Sequence, residues 1–113
     1  MSRRSKTAAV AAPAALDLPA ELTIYTVGEL RPQWLAWLGP AGTDGQAPAV
    51  VRGQAPGDVD GAGVQLLLAL DRSLAERGRQ LQIDAPSSAL QAACAAAGLA
   101  EWLQQRRPGE AAA

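Results

Sequence analysis

Apolar and polar residues alternate at strand period over Ala15-Leu16-Asp17-Leu18 and again, after Pro19, over Glu21-Leu22-Thr23-Ile24. The two runs predict short strands joined by a turn at Pro19-Ala20. The period then lengthens. Thr26-Val27-Gly28-Glu29 has the Thr-x-x-Glu spacing of a capping box, in which the Thr and Glu side chains each accept from a free backbone N–H at the helix start. Leu30, Trp34, Trp37 and Leu38 share one arc of the helix that follows, and Gly39-Pro40 ends it. Pro32 lacks an N–H and crowds the preceding turn, so the pattern also allows a regular helix that begins at Pro32 after a loose turn.

Gly-Thr-Asp-Gly-Gln-Ala punctuates a loop between Ala41 and Pro48, and Ala49-Val50-Val51-Arg52 then reads as a short buried strand. Residues 53–60, with glycine and proline, read as loop. Val64 to Leu74 is the strongest apolar segment. At 3.6 residues per turn it puts Leu66, Leu67, Leu70 and Leu74 on one side and Gln65, Arg72, Ser73 and Glu76 on the other, which predicts an amphipathic helix packed on a sheet and stopped at Gly78. Gln80-Leu81-Gln82-Ile83 alternates as a strand. Pro86-Ser87-Ser88 supplies a capping serine for a helix to Ala97, Gly98 stops it, and a last short helix spans Leu99 to Gln105. The predicted order is β-β-α-β-α-β-α-α. Because β-α-β crossovers return the chain in the same direction, this is an α/β domain: a small mixed or parallel sheet of about four strands against about four helices. The predicted domain occupies residues 15–105, between disordered tails at 1–14 and 106–113.

Bulk properties narrow the function. The chain has 113 residues, enough for one core and too few for two ordinary domains. Its 49% hydrophobic and 19% charged residues suit a globular domain, although alanine supplies much of the apolar share and buries little area per residue. A formal net charge of -1 removes the general attraction to phosphate backbones, so nucleic acid is not an expected partner. There is no histidine, which eliminates the usual general base near neutral pH and the commonest metal ligand. Neither an enzyme nor a cofactor is expected. The lone Cys94, in an alanine-rich run, reads as a small buried residue in a reducing compartment. Residues 1–15 imitate a signal peptide poorly, since the apolar run is nearly all alanine and contains Pro13. No window approaches the length of a spanning helix, so a cytoplasmic protein without stable membrane insertion is expected.

The segment Asp60-Gly61-Ala62-Gly63-Val64-Gln65-Leu66-Leu67-Leu68-Ala69-Leu70 resembles the signature of STAS domains, the anti-sigma-factor-antagonist family, in which an Asp-x-x-Gly turn leads into a leucine-rich helix. Glu21 to Thr26 resembles that family's second strand and entry to its first helix, Arg77 to Ile83 its glycine turn and fourth strand, and Ala97-Gly98-Leu99 its late glycine-leucine break. The resemblance implies a single STAS-type domain that acts by binding another protein. It also implies a phospho-acceptor two residues after the aspartate, a position held here by Ala62, which has no hydroxyl. Ser73, Ser87 and Ser88 read as surface or capping serines.

A glycine-containing turn at a helix N-terminus suits close approach of a partner. The candidate partner-binding residues are therefore Asp60, Gly61, Ala62, Gly63, Val64 and Leu68; Val64 and Leu68 fit equally a rim of the core or an apolar contact patch. Asp60 and Asp58 make a poor catalytic or calcium site and read better as turn residues that accept backbone N–H groups. The resemblance implies an anti-sigma-factor-kinase-like or chemosensory partner. Its alternative is a cytoplasmic accessory subunit bracing the ATPase of an ABC-type phospholipid transporter; a threonine after the aspartate would favour that, and Gly61 stands there.

Overall fold

In the computed structural model of the chain, residues 15–39 and 48–108 are described; the predicted tail at 1–14, residues 109–113 of the predicted tail at 106–113, and residues 40–47 lie outside them. Five short strands and four helices follow in the order β1 (Leu16–Asp17), β2 (Glu21–Leu22), α1 (Val27–Leu38), β3 (Ala49–Arg52), β4 (Asp58–Val59), α2 (Gly61–Glu76), β5 (Leu81–Asp84), α3 (Ser88–Ala96) and α4 (Ala100–Gln105). The strands form two parallel sets, β1-β3-β5 and β2-β4. Val51 sits in register with Leu16 on one side and Ile83 on the other, and Leu22 pairs with Val59. The α/β class, the parallel sheet and four helices agree with the sequence reading. β4 does not: it forms inside the stretch read as loop, because Asp58 and Val59 run alongside Glu21 and Leu22. A two-residue strand is too short to leave a periodic signal.

The core is built from the leucine faces. Val51, Leu67, Leu74, Ile83, Leu90 and Cys94 are fully buried, with Trp34, Leu38 and Leu103 almost so. Cys94 thus has the structural place its sequence context indicated, and burial pushes its thiol pKa up. On α2 the buried arc is Val64, Leu67, Leu70 and Leu74, while Leu66 is half-buried. On α1 it is Leu30, Trp34 and Leu38, with Trp37 half-buried at the edge of the core.

Helix α1 starts where the Thr26 pattern puts it, but without the cap that pattern implies. It begins at Val27 rather than Pro32, and Pro32 lies inside it. The carbonyl that Pro32 leaves without a donor belongs to exposed Gly28, where water can satisfy it and where no side chain adds to the crowding. Nor is there a capping box. Thr26 makes no side-chain bond into the helix, because its backbone has helical rather than extended angles. Its hydroxyl instead accepts from the Thr23 N–H at 3.0 Å and lies 3.0 Å from the Glu21 carbonyl, closing the turn before the helix. The cap read at Ser87 does form, accepting from the Leu90 N–H at 3.1 Å. Gly78 and Gly98, both with positive φ, follow α2 and α3 as stops.

Two features hold α2 in place. At its start Gly63 packs directly on β2, so close that a Cβ there would overlap the carbonyl oxygen of Leu22. At Gly61 a Cβ would meet nothing within 4 Å and φ is not positive. Further along, the Asp71 carboxylate receives Nε and Nη2 of Arg106 at 2.9 and 3.0 Å and Nε1 of Trp102 at 3.2 Å. The Arg106 carbonyl in turn accepts from the Ile83 N–H at 2.7 Å. Arg106, placed by sequence at the start of a polar tail, is therefore part of the domain. Burial pushes the Asp71 pKa up, but the bonds from Arg106 and Trp102 outweigh it and the net direction is down. The side chains of this pair are 26% and 19% exposed, against 51% and 70% for the Arg52–Asp17 bridge, so screening leaves the latter worth about 1 kcal/mol or less.

Gly63→Ala is expected to cost several times more stability than Gly61→Ala, which should stay within about 0.5 kcal/mol of the parent; urea denaturation measures both. Arg106→Ala should cost about 2 kcal/mol by leaving a half-buried carboxylate short of donors. Because the folded Asp71 pKa is lowered, that contribution is present above the ordinary carboxylate value and fades as pH falls through the folded value, so parent and variant should converge in acid.

Candidate functional site: the turn before helix α2

Asp60 links β4 to α2 with extended backbone angles, and its own N–H donates to the Leu22 carbonyl at 3.2 Å. One carboxylate oxygen accepts from the Ala62 and Gly63 N–H groups at 2.9 and 3.1 Å. The other accepts from the Ile24 N–H at 3.0 Å. A single side chain thus caps α2 and stitches its N-terminus to the loop that follows β2. The Ile24 N–H is the chief cause that lowers the Asp60 pKa; desolvation opposes it, and the Gly63 and Ala62 N–H groups add to the lowering. With both oxygens engaged by N–H donors, Asp60 holds the two segments in position.

The loop held by Asp60 carries residues that the sequence pattern misplaced. The alternation over Glu21-Leu22-Thr23-Ile24 places Ile24 in a strand. The strand stops at Leu22, and Thr23 turns the chain: its carbonyl accepts from the Thr26 and Val27 N–H groups, and its hydroxyl lies 3.2 Å from the Tyr25 nitrogen and 2.7 Å from a Glu21 carboxylate oxygen. Ile24 is consequently 60% exposed and Tyr25 86%. The signal that could have found this was the closeness of Thr26, a helix-start residue, which leaves no room for a strand through Ile24.

The six sequence candidates separate into a surface group and a buried group. Gly61 is exposed, and Asp60 and Ala62 are half-exposed, beside the Ile24–Tyr25 loop. Leu68 is half-buried and packs on the core. Val64, at 1% exposed, belongs to the core, and Gly63 is buried against Leu22. Those two are corrections: the close approach that Gly63 permits is to the protein's own β2, and Val64 faces inward because it shares the arc of Leu67 and Leu74. Gly61 has no conformational need to be glycine.

Comparison with known families decides the class of the domain. A family model described as "Mlab, STAS domain" matches residues 5–105. The chain belongs to the STAS-domain family. No curated protein matches it, and no solved structure does. In this STAS domain the Asp-x-x-Gly turn quoted from the sequence is the junction just described, and the leucine-rich segment after it is α2. Among the described residues no group of histidine, cysteine or carboxylate side chains could hold a metal ion, and no helix is long and apolar enough to cross a membrane.

Removing the Asp60 carboxylate should free both sides of the junction. In Asp60→Ala, hydrogen exchange at the Ile24 amide is expected to accelerate more than exchange at the central α2 amides, and the denaturation midpoint should fall. Since the folded Asp60 pKa is lowered, its stabilising contribution is present above the ordinary carboxylate value and is lost as pH falls through the folded value. The difference between parent and variant should therefore shrink in acid; a difference independent of pH would contradict the assignment.

Proposed function

We propose that this STAS domain is a non-enzymatic protein-interaction module of the anti-sigma-factor-antagonist type, acting in the cytoplasm in bacterial signalling, with a chemosensory complex as one setting. It docks through the surface made by Ile24 and Tyr25 with Asp60, Gly61 and Ala62, and Leu68 at its margin. The observation that carries this reading is the Asp60 carboxylate bonded to both loops at once, which presents two exposed apolar side chains on a fixed base beside the exposed start of α2. An apolar pair held in place loses little entropy on binding. The partner is another protein, an anti-sigma-factor-kinase-like or chemosensory one. Ala62 stands where the family resemblance implies a phospho-acceptor, so the docking does not depend on a phosphate at this turn.

Tagged parent protein and a Gly61→Arg variant, recovered from native cells, test this. The added side chain points into open space, so the fold is expected to survive and circular dichroism checks that it does. The reading stands if a kinase-like or chemosensory protein is recovered with the parent and lost with Gly61→Arg. If both forms recover a transporter ATPase, the turn is not the docking surface, and the role of transporter accessory subunit replaces this one.

A further inference from the structure

Glu21 and Asp58 occupy directly opposed positions in the parallel β2–β4 pair. Like charges placed so are destabilising, and no cation relieves them: among the described residues neither forms a salt bridge, and Glu21 has only the Thr23 hydroxyl at 2.7 Å. Glu29 lies exposed in the first turn of α1 and, among the described residues, forms no salt bridge. Residues 20–30 and 57–63, which build the Ile24–Tyr25 loop and the Asp60 turn, contain four carboxylates and no lysine or arginine. Tyr25 and Ile24, both exposed, thus belong to a stretch of chain in which Glu21, Glu29 and Asp58 carry negative charge and the nearest basic residue in sequence is Arg31.

Resting on the docking reading above, we propose that the partner surface received here is cationic: a lysine- or arginine-rimmed apolar slot that takes the Tyr25 ring, with the rim facing Glu21, Asp58 and Glu29. Charge complementarity excludes the other occupants. Two copies of this chain meeting through the same face would set these acids against one another, and an anionic lipid surface would repel them. Tyrosine is suited to the slot, because it buries a large rigid ring at low entropic cost and keeps a polar tip for the rim.

The full chain expressed in its native cells, carrying a photo-crosslinking phenylalanine analogue in place of Tyr25 or, separately, of Ala62, provides the test. Mass spectrometry of the adducts identifies the attached peptide. The expected result is a heterotypic adduct from position 25 on a lysine- or arginine-rich surface, whose yield falls about tenfold with Asp58→Lys. The same charge change in Glu76→Lys, at the far end of α2 and about 20 Å away, should leave the yield unchanged. Asp58→Lys puts opposite charges across the β2–β4 pair, so loss of folding is not the expected cause of a lower yield. An adduct on a neutral or acidic surface, an adduct with a second copy, or equal effects of the two lysine variants would overturn the proposal. If position 62 cross-links and position 25 does not, docking at the turn stands and the cationic slot falls; if neither cross-links, both fall.

Discussion

Where Gly63 lies against the carbonyl of Leu22, there is no space for a side chain between α2 and β2, and that approach fixes the depth at which α2 enters the domain. Val64, Leu67, Leu70 and Leu74 then face the core as a consequence of helical spacing. The same approach sets Asp60, three residues earlier, level with the end of β2, where its carboxylate can reach the Ile24 N–H as well as its own helix. A larger residue at position 63 would move the helix outward and break both arrangements, so packing and site geometry share one origin.

Asp60 shows how one carboxylate can organise two segments of backbone. Its oxygens are satisfied by three backbone N–H groups, all in segments that would otherwise end with free donors: the first turn of α2 and the turn after β2. Orphan donors at a helix start invite either water or a bound anion. Here the protein supplies the anion itself. The result is a junction with its positive end already compensated and with acidic residues around it, which favours a cationic partner over a phosphate.

The sequence was most legible where physics is local and repeated. The strands at Ala49–Arg52 and Leu81–Asp84, the long leucine helix, the Ser87 cap and the stops at Gly78 and Gly98 follow from period and from single-residue preferences. Asp60 as a turn and cap residue was legible too, since an aspartate before a helix has few other uses. What escaped depended on contacts distant in sequence. β4 exists only through Glu21–Leu22, 37 residues earlier in register, and Ile24 is exposed because a short turn, not a strand, follows Leu22. Thr26 had the right spacing for a capping box, but its hydroxyl found Thr23 and Glu21 instead of the helix. Gly63 and Val64 were drawn into the contact surface by a motif whose residues serve two masters, the surface at 60–62 and the interior from 63 onward.

That division within one motif separates the residues that hold the fold from those left at the surface of the turn. Stability comes also from beyond the turn, from the buried leucines and from the half-buried Arg106–Asp71–Trp102 cluster, where Arg106 also lies 5.4 Å over the Trp102 ring and ties the chain's last described turn to β5. Asp71 is three helical turns from Asp60 on α2. The two acids therefore anchor opposite parts of the same helix, one against the C-terminal segment and one against the β2 loop. With α2 held at both points, exposed Gly61 and the exposed Ile24–Tyr25 pair contribute little to packing, which leaves them free to serve the proposed docking. Glycine at 61, which the backbone does not require, and an opposed pair of acids, which the sheet would be more stable without, are both intelligible on the docking proposed above.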